Sequence, residues 1–265
     1  MRIHSITGWA AVVACGCLAA NVGRASIDIH VADVNGVSGL TITAHDADQP
    51  FTRTIGWAGA WNAEITGGAT SPPYDVGDKF LAFCTDIGNS MGNGTYQYDP
   101  KMFTSADLSS PEGVAPDPNW HDALSGQRAA WIYNTYIGTV NSANAEQVSA
   151  MAIAIWEALY EGSGTFDVTS GGGPGDYFKV SGSGTVYDDV TSLANSWLDD
   201  STAYYTANGG FGYDLTWFQE QDTPDVQSLI GPVNPVPEPS TYLAGALLAV
   251  PFFASTLRLR RRKCS

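Results

Sequence analysis

Apolar side chains recur with two different periods along this chain, and the change of period is what most limits its fold. Residues 27–31 and 40–44 alternate between apolar and polar side chains, a pattern that predicts strands joined by turns. At 125–137 and 143–160 the apolar residues take helical spacing, and 188–197 predicts a third helix. We therefore expect an α+β fold, either a β-sandwich or an open β-barrel-like core with two to three inserted helices.

The composition supports one folded domain of this kind. Of the 265 residues, 44% are hydrophobic and only 15% are charged, so the chain has enough apolar surface for a core and is not disordered. Its 29 glycines and 14 prolines follow no triplet period, which excludes collagen and indicates many turns. We place a single β-rich domain at residues 26–231.

The first 25 residues are typical of a secretory signal peptide. Arg2 precedes a mostly apolar stretch at 6–20, and small residues ending in Ala25 suit the signal peptidase. We expect residues 1–25 to form a signal helix that is removed on export, so that the domain at 26–231 is extracellular.

The C-terminal segment predicts a membrane anchor. Several prolines make 232–240 an extended linker, because proline disfavours helix at its own position and at the one before it. Residues 241–257 are 17 uncharged and mainly apolar residues, which as a helix of about 26 Å just span a bilayer. The basic cluster that follows would stay cytoplasmic, so we predict a transmembrane helix with a basic tail at 241–265.

Pro237, Glu238 and Pro239, followed in order by this apolar helix and an arginine cluster, resemble the PEP-CTERM sorting signal. The resemblance implies that an exosortase, a membrane-embedded cysteine transpeptidase, recognises the tripeptide and removes the tail. It also implies a bacterial surface associated with exopolysaccharide. We therefore expect the export machinery and the exosortase to deliver this protein, through a transient membrane anchor, to the cell surface or the extracellular matrix of a biofilm.

The body of the chain is strongly acidic. Residues 26–240 carry 27 acidic side chains and only five basic ones. Such a surface repels phosphate backbones and anionic lipid head groups. We therefore exclude nucleic acid as a partner of the domain, and the predicted contact with the membrane is through the C-terminal helix alone.

Cys84 is the one cysteine that remains when the two terminal segments are set aside, so the mature chain cannot form an intramolecular disulfide. It ends the apolar run 80–84, which predicts a strand buried on both faces. In such a strand the simplest role of a cysteine is that of a small core residue.

Three segments resemble the thioester domains of bacterial surface proteins: Phe83-Cys84-Thr85-Asp86, Ala-Ala-Trp-Ile-Tyr at 129–133, and Ala-Ile-Trp-Glu-Ala-Leu-Tyr at 154–160. The resemblance implies an internal bond between a cysteine and a glutamine that couples to amines on a host or matrix surface. Aligning Trp156 with the motif tryptophan puts Ala152 at the position of the reactive glutamine, and the nearest glutamine is Gln147. We therefore expect the thioester to be absent and Cys84 to be a free thiol, with Cys84 and Gln147 as the candidate pair.

Three tryptophans in turn-rich stretches, Trp57, Trp61 and Trp120, form a candidate sugar-stacking surface if they cluster. Residues 88–92 match the nucleophile-elbow pattern but are followed by turn residues instead of a helix, and the histidines lack metal-ligand spacing. We expect no catalytic activity, cofactor or metal. The expected function is that of a non-catalytic surface or matrix protein, with a carbohydrate-binding module for exopolysaccharide or a thioester-type covalent adhesin as alternatives.

The tail provides the first test. In a Glu238→Ala variant the exosortase should fail to recognise the tripeptide, so the protein should keep its tail and remain in the membrane fraction. Intact-mass measurement of protein from its native surface, with and without exosortase, checks this, and Ser240→Ala is the matched control just outside the tripeptide. Unchanged release and an unchanged C-terminal mass in Glu238→Ala would leave only a plain tail anchor.

Overall fold

The computed structural model of the protein describes residues 26–32, 36–46, 49–54, 57–68, 74–87, 91–103, 123–161, 166–171, 178–220 and 226–233. The predicted signal peptide, the predicted transmembrane helix, Trp120 and the tripeptide at 237–239 lie outside these residues. Of the helices that the structure does describe, none combines the length and the hydropathy needed to cross a bilayer.

The described residues contain ten strands and three helices. In chain order the elements are β1 (Ile27–Ala32), β2 (Gly36–Val37), β3 (Thr41–Asp46), β4 (Gln49–Thr54), β5 (Ala58–Gly68), β6 (Lys79–Cys84), β7 (Gly94–Phe103), α1 (Ala123–Tyr136), α2 (Ala145–Tyr160), β8 (Phe178–Ser181), α3 (Thr185–Asn208), β9 (Leu215–Glu220) and β10 (Leu229–Gly231).

Six of the strands form a closed antiparallel barrel. Their hydrogen-bonded order is β1, β7, β9, β10, β6 and β5, and β5 pairs with β1 to complete the ring. The predicted α+β class is therefore confirmed, but the core is a closed barrel and not a sandwich or an open barrel. Closure removes the unpaired edges that an open sheet would present.

The seam between β1 and β5 shows why the alternation of β1 did not reveal closure. Buried and half-buried residues alternate along β1, as in any half-buried strand, yet β1 pairs on both sides. At the seam Ile27 lies opposite Gly68. Gly68 has a φ of +95°, and a Cβ there would come within 2.4 Å of the Ser26 carbonyl oxygen, so the seam requires glycine.

The three helices pack against one another, and α2 joins them to the barrel. It packs against α1, α3 and the barrel strand β5, and every residue from Val148 to Tyr160 is buried. The Asn144 side chain caps its first turn by accepting hydrogen bonds from the N–H groups of Glu146 and Gln147. The helices predicted at 125–137 and 143–160 are confirmed, whereas α3 continues well beyond the predicted 188–197.

Beside the barrel lies a second sheet of three antiparallel strands, in which β3 is flanked by β4 and β8. Ile42 of β3 pairs with Val180 of β8, and both side chains are fully buried. The small sheet and α2 are in contact through β8 and β3. The second sheet therefore belongs to the same hydrophobic core as the barrel and the helices.

Removing the Trp156 side chain should destabilise the domain strongly. Trp156 is only 4% exposed, at the centre of the buried helix α2. Loss of a buried tryptophan costs about 3–5 kcal/mol, so Trp156→Ala should lower the free energy of unfolding in urea by that amount. Val186→Ala, at a side chain 41% exposed on α3, is the control and should change it by less than about 0.5 kcal/mol. Equal free energies of unfolding of the two variants would contradict the burial of Trp156 in α2.

Candidate functional site

The Cys84 side chain, at the end of β6, lies between two polar side chains from distant parts of the chain. The indole N–H of Trp61 on β5 donates a hydrogen bond to Cys84 Sγ over 3.1 Å. The thiol donates in turn to Gln227 Oε1, with 2.7 Å between sulfur and oxygen. Because Cys84 is only 5% exposed, a thiol, a carboxamide and an indole N–H meet in a site with little access to water.

The pairing of β6 with β10 brings the glutamine to the cysteine. Cys84 lies opposite Leu229, and the ladder continues beyond the strands, because the Thr85 N–H donates to the Ser228 carbonyl over 2.9 Å. In this antiparallel register residue 227 comes beside residue 86. Gln227 therefore reaches back along the ladder to the sulfur, although 143 positions separate the two residues in the sequence.

The orientation of the Gln227 carboxamide follows from its second hydrogen bond. Its Nε2 donates to the Asp86 backbone carbonyl over 2.7 Å, and a carbonyl can only accept. The nitrogen must therefore face Asp86, and the oxygen faces the Cys84 thiol. This arrangement also places Cδ of Gln227, the atom bonded to both, next to the sulfur.

Two side chains of α2 hold the backbone on which Cys84 lies. The indole N–H of Trp156 donates to the Cys84 carbonyl over 2.7 Å, and the Tyr160 hydroxyl donates to the Thr85 carbonyl over 3.1 Å. The Tyr160 oxygen also accepts a hydrogen bond from the Ile87 N–H over 3.3 Å. The segment that follows β6 is thus fixed by buried hydrogen bonds. Substitution of Trp156 or Tyr160 would leave a buried backbone carbonyl without its donor.

On the other side of the site, Tyr98 of β7 contacts the segment that carries the glutamine. Its hydroxyl lies 3.3 Å from the Gln227 backbone carbonyl and 3.2 Å from Met91 Sδ. Tyr98 is fully buried. The backbone of Gln227 is therefore held from β7, while its side chain is held from the end of β6.

The electrostatics of the site keep the sulfur protonated. Burial raises the pKa of the Cys84 thiol to about 12, since a buried thiolate loses its hydration. The hydrogen bond from Trp61 opposes this rise, because it favours the thiolate, and the nearby charge of Asp86 adds to it. Burial also raises the pKa of Tyr98. At neutral pH both groups are uncharged, and the thiol proton is available to the Gln227 oxygen.

Gln147, the glutamine paired with Cys84 from the sequence, lies elsewhere. It is in the first turn of α2, where its Oε1 accepts a hydrogen bond from the Asn141 N–H over 2.9 Å. Ala152, at the position of the motif glutamine, is fully buried inside the same helix. The glutamine that contacts Cys84 is Gln227, which sequence analysis missed. The apolar residues Leu229 and Ile230 after it indicate a short strand, but nothing local shows that this strand pairs with β6.

The structure also separates the roles of the candidate sugar-stacking tryptophans. Trp61 is only 5% exposed and directs its N–H at Cys84, so it offers no ring face to a sugar. Trp57 is half-buried and packs edge-on against Trp61, with ring centroids 5.3 Å apart. Trp120 lies outside the described residues. The pair at 57 and 61 is therefore part of the core next to the thiol.

Within the described parts of the chain, no three His, Cys, Asp or Glu side chains come together as metal ligands would. His30, which is described, shares a hydrogen bond of 3.2 Å with the Thr95 hydroxyl. The chemistry that these parts of the chain do bring together is that of a thiol beside a carboxamide.

No protein-family model matches this chain, and no curated protein matches it either. Solved structures that are similar to it include two of low identity. The N-terminal thioester domain of the fibronectin-binding protein SfbI from Streptococcus pyogenes is 13% identical, with 78% of this chain and all of that chain covered and a TM-score of 0.37. The N-terminal domain of the S. pyogenes pilus tip adhesin Cpa is 10% identical, with 75% and 97% covered and a TM-score of 0.36. Neither superposition is close enough to assign chemistry to this chain.

Proposed function

We propose that Cys84 and Gln227 condense to an internal thioester, through which the domain couples covalently to primary amines at a surface. In the condensation Cys84 Sγ bonds to Gln227 Cδ, the Cδ–Nε2 bond breaks, and ammonia leaves with the proton of the thiol. No oxidant or cofactor is needed, because the reaction only exchanges one acyl partner for another.

The observation that carries this proposal is the 2.7 Å contact between Cys84 Sγ and Gln227 Oε1. The contact places the nucleophile, Cys84 Sγ, next to the carboxamide group that contains the acyl carbon Cδ. The hydrogen bond from Nε2 to the Asp86 carbonyl keeps the carboxamide in that orientation. Reactants held in this way inside one chain react with effective concentrations far above those in solution. A condensation that is slow between free molecules is therefore feasible here.

This proposal replaces the expectation that the thioester is absent. That expectation depended on Ala152, which occupies the position of the motif glutamine in α2. Since the contact of Cys84 is with Gln227, just before β10, the identity of residue 152 does not decide whether the bond forms.

Burial of the sulfur suits a reactive acyl group that must survive until a partner arrives. Cys84 is 5% exposed, whereas Gln227 is half-buried. Exclusion of water protects reactive intermediates from hydrolysis. An amine approaching from the solvent side of Gln227 would bond to Cδ, the C–S bond would break, and Cys84 would recover its thiol with the proton that the amine loses.

Such coupling consumes the acyl group once, so the protein would act stoichiometrically, in agreement with the expectation of a non-catalytic surface protein. The predicted signal peptide and the predicted PEP-CTERM-like tail are the sequence features that favour export and delivery to the cell surface or matrix. There an amine of a matrix component or of another surface would be the target. The carbohydrate-binding alternative loses one of its three candidate rings, because Trp61 is buried.

The proposal predicts the mass of the native protein. Protein purified without reductant or amine buffers should be about 17 Da lighter than the sequence that remains after removal of the signal peptide and the tail, because ammonia has left. Methylamine should then add about 31 Da at Gln227 and release one thiol at Cys84. Intact-mass spectrometry with peptide mapping measures both changes.

Two variants frame this experiment. Gln227→Ala should restore the full sequence mass and abolish the reaction with methylamine, whereas Gln147→Ala, the matched change at a glutamine bonded to Asn141, should behave as wild type. A native protein with full sequence mass, or methylamine found at Gln147, would overturn the assignment.

Opening the thioester should also lower the stability of the domain. The bond joins residues 143 positions apart, and a crosslink that closes so long a loop stabilises a protein by about 3–5 kcal/mol through the unfolded state. Methylamine treatment should therefore lower the Tm by roughly 5–15 °C in calorimetry. Cys84→Ala, treated in the same way, should show no change. An unchanged Tm in wild-type protein whose mass proves opening would argue against the crosslink as a structural element.

A further inference from the structure

The indole of Trp61 is the part of the site that the condensation itself leaves unexplained. Its N–H points at Cys84 Sγ over 3.1 Å, and the ring is buried and packed edge-on against Trp57. The strand register fixes its place, because Trp61 pairs with Ala82, two residues before the cysteine on the neighbouring strand. The indole N–H of Trp61 is thus held in a fixed position beside the sulfur, while the proton of the Cys84 thiol is directed at Gln227.

A neutral N–H donor interacts very differently with the charge states of a sulfur. Neutral thiols and thioesters are weak acceptors, whereas hydrogen bonds to an ionised acceptor are about twice as strong as neutral ones. The hydrogen bond therefore contributes little to the resting thiol or to the closed thioester. It contributes most when the sulfur carries negative charge.

Both reactions of the site pass through such a state. In the condensation the nucleophile is the thiolate, and in the reaction with an amine the thiolate is the leaving group. A group that stabilises the transition state more than the ground state accelerates a reaction. In a site that excludes water, a donor already aimed at the developing charge needs no reorganisation.

We propose that Trp61 is a catalytic residue of this thioester chemistry, whose indole N–H stabilises the Cys84 sulfur as it becomes the nucleophile and again as it becomes the leaving group. The inference rests on the proposed function, since it names the donor that assists that reaction. The direction of the Cys84 pKa agrees with it: burial raises the pKa, and the hydrogen bond from Trp61 lowers it.

The sharpest test removes the N–H and keeps the shape. Replacing Trp61 with β-(3-benzothienyl)alanine exchanges the N–H for a sulfur atom in a ring of nearly the same size. The rate at which methylamine opens the preformed thioester, followed by intact mass, should fall about 10- to 100-fold, the loss expected for one hydrogen bond to a charged group. Trp61→Phe, which also removes the donor, should slow opening at least as much.

The matched control makes the same exchange at Trp131. This tryptophan is 5% exposed on α1, and its indole nitrogen has no hydrogen-bond partner in the described structure. The benzothienyl residue at 131 should therefore leave the rate of opening as in wild type. Unfolding in urea should show both replaced proteins folded, so that a slower reaction at 61 cannot be attributed to lost structure.

A second measurement does not require the thioester. In the Gln227→Ala background Cys84 stays a thiol, and its alkylation by iodoacetamide, measured from pH 7 to about pH 10, follows the thiolate fraction. Replacement of Trp61 by the benzothienyl residue should lower the alkylation rate about tenfold or more at each pH, because the thiolate has lost its donor.

The two measurements separate the two proposals. A wild-type protein without the mass deficit would refute the thioester, whereas the alkylation rates would still report whether Trp61 stabilises the thiolate. A thioester that forms and opens at the wild-type rate with the benzothienyl residue at 61 would refute the role of Trp61 and leave the proposed function intact. Equal alkylation rates with and without the N–H would also refute that role.

Discussion

The candidate site depends on one contact, the antiparallel pairing of β10 with β6. This pairing puts Leu229 opposite Cys84. The hydrogen bond from the Thr85 N–H to the Ser228 carbonyl then extends the ladder by one residue beyond each strand. Gln227 reaches the thiol only because of this register. In a strand pair a shift by one residue turns every side chain to the other face. The same short strand that completes the barrel between β6 and β9 therefore also decides whether nucleophile and acyl carbon meet.

Helix α2 links the core to the site through the spacing of two of its residues. Trp156 and Tyr160 are four positions apart and therefore lie on one face of the helix. Their N–H and O–H groups reach the carbonyls of consecutive residues, Cys84 and Thr85, at the end of β6. Since the helix is buried from Val148 onward, its position is fixed by packing, and so are the positions of the two donors. The precision of the site is thus set by the packing of the whole domain.

The sequence predicted the local elements better than the contacts between them. Hydrophobic periods located two helices and the strand ending in Cys84, because such periods report which face of an element is buried. They do not report partners: β1 alternates in the same way whether one or both of its edges are paired, so closure of the barrel was missed. Gln227 was missed for the same reason, since its contact with Cys84 spans 143 positions. The resembling motif indicates Gln147 instead, which is the glutamine nearest to that motif in sequence but does not contact Cys84.

Burial has opposite consequences for the thiol of Cys84 and for the thioester proposed above, and this explains how an inert thiol and a reactive bond could share one site. In the thiol, burial raises the pKa to about 12 and makes the sulfur a poor nucleophile at neutral pH. The proposed thioester would carry no charge, so burial would cost it little and would keep water away from the acyl carbon. A bond that forms once within a chain tolerates slow formation, provided the reacting groups are held together, as the Gln227 carboxamide is between Asp86 and the sulfur. The proposed reaction also requires that the sulfur carry negative charge in its transition state, and the N–H of Trp61 is already directed at that sulfur.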